Sequence, residues 1–149
     1  MTRARRKHLV AAVSALMLLV VAESAAAQPT GIAITIDKHG RLTSDGVALI
    51  RMDIVCGPFA GFEEFQEALA GGFQTKSGAE AEGGIDGNVV CDGVEREYTA
   101  HLSSFNEIQF RPGPAQFTAS LFICMLVGDE QQCYHGSTTR RVILRGAPK

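Results

Sequence analysis

The chain has 149 residues with 14 Lys and Arg, 16 Asp and Glu, and no tryptophan, for a formal net charge of −2. Four of the basic residues crowd into the first seven positions, and without residues 1–27 the balance is 10 basic to 15 acidic, a net −5. A chain this acidic lacks the basic face that nucleic acid or an anionic membrane surface requires.

Arg3, Arg5, Arg6 and Lys7 precede the uncharged run Leu9–Ala22, which is followed by Glu23, Ser24 and Ala25-Ala26-Ala27. A basic end, a short apolar run and small side chains at −3 and −1 form the tripartite pattern of a secretory signal peptide. The run stops short of the roughly 20 residues a membrane-spanning helix needs. Cleavage recognised through Ala25 and Ala27 would make Gln28 the first residue of a mature domain, residues 28–149. Arg5-Arg6 also leaves the twin-arginine route open, although so apolar a run favours the general secretory one. The sequence thus predicts a secreted, extracellular protein with no membrane attachment after cleavage.

Beyond the leader the hydrophobic period is two, the signature of half-buried strands. Ile32, Ile34 and Ile36 alternate with Ala33, Thr35 and Asp37, and Lys38-His39-Gly40 and Ser44-Asp45-Gly46 read as turns. Ala48, Ile50, Met52, Ile54 and Cys56 then share a face, with Arg51 and Asp53 opposite, until Gly57-Pro58. Phe59–Leu69 is ambiguous, because Phe62, Phe65, Ala68 and Leu69 sit at helical spacing; the neighbouring pattern favours a strand. Gly71–Gly87, rich in Gly, Ser, Ala and Glu, reads as a flexible acidic loop with at most a weak strand in it. Val94, Tyr98, Ala100 and Leu102 define the next strand face. Ala115, Phe117, Ala119, Leu121 and Ile123 define a longer one, and Thr139–Leu144 a last one. About seven strands and no convincing helix predict an all-β, immunoglobulin-like antiparallel sandwich in one domain.

All four cysteines, Cys56, Cys91, Cys124 and Cys133, lie in the mature part. An even count in an exported chain indicates disulfides, and four cysteines allow three pairings. Gly128-Asp129 is a turn signal that folds Cys124 back towards Cys133, which leaves Cys56 for Cys91. Loop closure is then worth roughly 4 kcal/mol for the longer loop and about 2.5 for the shorter. Neither a close C-x₂₋₄-C pair for zinc nor a redox C-x-x-C occurs.

Cys91-Asp92-Gly93, Tyr98-Thr99-Ala100-His101-Leu102, Phe110-Arg111-Pro112-Gly113-Pro114-Ala115 and Thr118-Ala119-Ser120 together resemble a pattern in small secreted actinobacterial proteins. Cys124, Cys133 and the closing run Arg140-Arg141-Val142-Ile143-Leu144 extend the likeness, which covers roughly residues 47–144. It departs at Tyr98, where tryptophan is expected, and at Glu63, Glu64 and Glu67, where a plainer strand is expected. The resemblance implies an immunoglobulin-like sandwich and export. It implies no activity, and no functional residue follows from it.

Residue chemistry is equally silent on catalysis. His39, His101 and His135 fall in turns or on polar strand faces, with no H-E-x-x-H spacing. No nucleophile elbow is present, and Ser103-Ser104 near His101 does not make a triad. Gly83-Gly84-Ile85-Asp86-Gly87 lacks the helix and lysine of a phosphate loop. Asp86, Asp92 and Glu95 lack the calcium-loop register. Glu63, Glu64 and Glu67 lack the sugar platform of a glycosidase. The sequence therefore predicts no catalytic residue, no cofactor and no metal. It predicts a monomeric, non-enzymatic binding module for an extracellular partner, with a small-molecule carrier or inhibitor as the alternative. Two surfaces are candidates: the acidic region Glu63–Glu97, with nine carboxylates against Lys76 and Arg96, and the hairpin Cys124–Cys133 with its apolar Met125-Leu126-Val127.

Overall fold

The computed structural model describes residues 31–146. Residues 1–30, and with them the leader and its cleavage residues Ala25, Ala27 and Gln28, lie outside the described part. Eight strands follow one another: β1 (Gly31–Ile36), β2 (His39–Leu42), β3 (Ala48–Gly57), β4 (Phe62–Gln74), β5 (Ala79–Gly84), β6 (Arg96–Leu102), β7 (Gly113–Val127) and β8 (Glu130–Arg145).

Period-two alternation converts directly into burial. In β3, Ala48, Ile50, Met52, Ile54 and Cys56 are buried while Arg51 and Asp53 are exposed. In β7, Ala115, Phe117, Ala119, Leu121 and Ile123 point inward. β3 pairs with β1 and β6 to make one layer; β8, β7, β4 and β5, in that order, make the other. Inward side chains of both layers meet in one core around Phe117, Ile50, Met52, Leu102 and Leu121. This is an immunoglobulin-like arrangement of two layers closed around one core. At one margin, isolated bridges Ala81↔Ser104 and Ile85↔Ala100 tie β5 to β6.

The other margin corrects the expectation of a purely antiparallel sandwich of about seven strands. Lys38-His39-Gly40 is not a turn: His39 opens β2, which pairs antiparallel with β3 and parallel with β8 (His39↔Ile143, Gly40↔Leu144, Arg41↔Arg145). The change of layer happens in two residues. Asp37 N–H still donates to Arg51 O on β3 at 2.9 Å, whereas Lys38 O accepts from Ile143 N–H on β8 at 2.9 Å. A parallel partner lies far away in sequence and leaves no local turn signal, so composition could not announce it.

Three further boundaries move. Gly71–Gly87 is not a flexible loop: β4 runs on to Gln74, a turn occupies residues 75–78, and β5 buries Ala79 and Ala81 while exposing Glu80 and Glu82. The alternation was present but written in alanine and glycine. Gly72 faces Phe117, and a Cβ there would overlap the Phe117 ring, so the small residue is the complement of a large one across the layer. Val94 is exposed and precedes β6, which begins at Arg96. The final strand begins at Glu130 rather than Thr139, because its upper half buries little.

Two glutamines pin the irregular segments. Gln66 exchanges two 2.8 Å hydrogen bonds with the backbone of Val89, its Nε2 donating to the carbonyl and its Oε1 accepting from the N–H. A side-chain amide here stands in for a missing strand. Gln74 is fully buried and does the same for residues 111–114.

Candidate interaction site

β7 and β8 form a long hairpin, paired without interruption from Gly113↔Leu144 to Val127↔Glu130. Only Gly128 and Asp129 lie between the strands, and φ is +65° at Gly128 alone. Positive φ at the first of two loop residues is the type II′ pattern, whose twist matches that of the strands. Cys124 and Cys133 are directly opposed in this register and bonded to each other, with Cα atoms 4.0 Å apart. Cys56 is bonded to Cys91. Inside the hairpin Met125 is buried, and Leu126 and Val127 are half-buried; the apolar run largely packs back rather than forming a sticky tip. Replacing Cys124 and Cys133 together by alanine should cost at most about 2.5 kcal/mol in urea unfolding. The hairpin should stay paired, since hydrogen bonds on both sides of the bridge already fix its register.

β4 pairs with β7 along this same end, and a bulge lies between Glu63 and Phe65. One extra residue shifts the alternation by one. Phe62, opposite Leu126, and Phe65, opposite Cys124, therefore reach the same outer face although they are three positions apart. That bulge is the physical source of the helical spacing seen in the sequence. Glu67 lies opposite Phe122, and Phe122 opposite His135, in the next row of the face.

The result is a cluster of exposed aromatics. Phe62 is 62% exposed, Phe65 49% and Phe122 37%, and the rings of Phe65 and Phe122 sit 6.1 Å apart in a tilted arrangement. Glu64 and Glu67 flank them. Glu64, on the bulge, accepts a hydrogen bond from Gln131 Nε2 across the hairpin. Glu63, opposite Met125, points to the other side of β4, where it accepts a hydrogen bond from Gln66 Nε2 at 3.3 Å. Glu64, Glu67 and the disulfide hairpin thus share one surface.

The rest of the acidic region is elsewhere, which corrects the expectation of a single Glu63–Glu97 face. Asp86 contacts His101 Nε2 at 2.9 Å beside β6. Asp92 holds Arg96 at 2.7 Å just before β6, and that guanidinium, with the Val94 N–H, draws the carboxyl down to about 2. Glu97 stands 3.7 Å from Arg51 on the β3–β6 face. Asp92 and Glu97 are paired with arginines and Asp86 contacts a histidine, so these carboxylates are dispersed rather than massed for a ligand.

The histidines are scattered: His39 on β2, His101 on β6, His135 on β8. Among the described residues no group of three His, Cys, Asp or Glu converges as a metal site. Sequence reasoning missed the aromatic cluster itself. Its signal was available in the outward phase of β7, where Gln116, Thr118 and Ser120 are followed by Phe122.

Fold and site together describe a two-disulfide, all-β domain of the immunoglobulin-like class with an aromatic face flanked by Glu64 and Glu67. No family model and no curated protein matches the chain. Among solved structures it is similar to AggA, the major subunit of aggregative adherence fimbriae type I from Escherichia coli, at 10% identity and a TM-score of 0.42, over 76% of this chain and 94% of that one.

Proposed function

We propose that the chain is an exported, non-enzymatic interaction module, and that an extracellular partner docks on the Phe62–Phe65–Phe122 face of β4, β7 and β8. The observation that carries this reading is the exposure of those three phenylalanines on one face, with the rings of Phe65 and Phe122 adjacent. Large apolar groups gathered on a surface cost solubility and mark interaction sites, and aromatics are the residues that anchor such interfaces. The two disulfides fit an oxidising, extracellular setting. Glu64 and Glu67 beside the rings favour a partner that presents basic groups next to an apolar patch. An internal carrier is less well supported: the space between the layers is filled by Phe117, Met52, Ile50 and Leu121, and depressions of about 530 and 420 Å³ open on outer surfaces.

The test is affinity capture from an extracellular fraction by immobilised residues 28–149, beside the F65A/F122A variant. A partner retained by the native chain should bind about 10- to 100-fold more weakly to the variant. Both side chains are exposed, so the variant should keep the native circular dichroism and melting behaviour. Equal capture by both chains would remove this face from the reading, and capture of nothing would remove the reading itself.

A further inference from the structure

The layer opposite the aromatic face carries a second feature. Where β2 crosses between the layers, its outward side chains and those of β3, β6 and β8 enclose a depression of about 530 Å³, within the roughly 300–1,000 Å³ range of ligand sites. His39, Arg41, Leu49, Arg51, Thr99 and Arg145 line it. In a domain with an excess of carboxylates, three of the eight lining residues are arginines.

The parallel register explains why they converge. Arg41 and Arg145 are directly paired across β2 and β8, so the two guanidinium groups leave the same face of adjacent strands. Like charges placed opposite each other in a sheet are destabilising. Arg51 is relieved by Asp37 at 3.3 Å and Glu97 at 3.7 Å. Among the described residues neither Arg41 nor Arg145 has a carboxylate partner. Both are exposed, so packing does not demand arginine at either position.

From this geometry we infer a binding site for a phosphate monoester. Two unpaired guanidinium groups supply two positive charges and two planar forks, which suit the oxygens of a single dianionic phosphoryl group. A phosphate monoester carries about −1.5 to −2 at neutral pH. Leu49, the Thr99 methyl and the arginine stems give an apolar floor for the organic part of the ester. The same chemistry is offered by a soluble ester and by the headgroup of a monoester phospholipid.

The experiment is a titration of residues 28–149 with phenyl phosphate at constant ionic strength, against sodium chloride as control. It is followed by amide shifts in ¹⁵N-labelled protein and by thermal melting. Shifts should centre on His39, Arg41, Leu49 and Arg145, and the melting temperature should rise. R145Q should bind at least about tenfold more weakly and, in phosphate-free buffer, should melt higher than the native chain, because a like-charge contact is gone. That gain separates loss of a site from loss of fold. Vesicles of phosphatidylcholine with phosphatidic acid, against phosphatidylcholine alone, then identify the source: retention assigns a lipid headgroup, and phenyl phosphate binding without retention assigns a soluble ester. No response beyond the chloride control, shifts elsewhere on the domain, or undiminished affinity in R145Q would overturn the site.

Discussion

Alanine at both Cys56 and Cys91 should lower the free energy of unfolding by about 4 kcal/mol, read as a fall in the urea midpoint. The two cysteines are 35 positions apart, so their bond removes far more freedom from the unfolded chain than the hairpin bond, which spans 9. The native state depends on it as well. Cys56 is fully buried at the end of β3, and Cys91 anchors the irregular stretch between β5 and β6. Apart from the disulfide, that stretch is held by the Gln66 amide on Val89, by Val90 N–H on Tyr98 Oη at 2.9 Å, and by Gly93 N–H on Cys56 O at 2.8 Å. For a domain whose whole stability is about 5–15 kcal/mol, the loss is severe. Hydrogen exchange in the double variant should rise first at residues 86–95 and leave the β7–β8 hairpin protected. If the hairpin bridge proved as costly to remove as this one, the length of the closed loop would not be what ranks the two bonds.

The layers were legible where inward side chains are large. Ile50, Met52 and Ile54 in β3, and Phe117, Leu121 and Ile123 in β7, announce their strands because burial of bulky apolar groups at alternate positions leaves no other economical structure. β5 was not legible, since Ala79 and Ala81 do the same with too little side chain to stand out. The upper half of β8 was not legible either, because its inward positions carry Tyr134, Gly136, Thr138 and Arg140. Gly136 is needed there, as a Cβ would collide with Ile32 of β1. Arg140 reaches across to donate to Ile36 O at 2.7 Å. Such contacts depend on which strand lies opposite, and that is a property of topology rather than of a local window. The same holds for both sites. The aromatic face needs the bulge after Glu63 to bring Phe62 and Phe65 to one side. The arginine pair needs the parallel meeting of β2 and β8, whose members are over a hundred positions apart. The three-residue spacing of Phe62 and Phe65 reads as helical until the bulge is known, and the arginine pair leaves no spacing at all.

Gln74→Leu should be the other strongly destabilising change, with a loss of about 3 kcal/mol in urea unfolding. Leucine nearly matches the volume and restores none of the hydrogen bonds. The amide is wholly enclosed. Its Nε2 donates to Arg111 O at 2.7 Å and more weakly to Pro114 O at 3.4 Å. Its Oε1 accepts from Arg111 N–H at 2.8 Å and from Ser77 Oγ at 2.7 Å. One side chain thus joins the β4–β5 turn to the segment that leads into β7, and each buried group it deserts costs about 1–3 kcal/mol unless water reaches it. Gln74→Glu separates hydrogen bonding from packing. A carboxylate placed there keeps the shape but turns an acceptor towards the Arg111 carbonyl, whereas the protonated acid can donate to it. Enclosure and that carbonyl both favour the proton, so the folded state should bind it more tightly than the unfolded state does. Stability of this variant should therefore fall as pH rises from about 4 to 7. The native chain, with a neutral amide at that position, should show no such added fall. A pH-independent loss in Gln74→Glu would mean that the site is open to water and that the amide acts mainly by filling space.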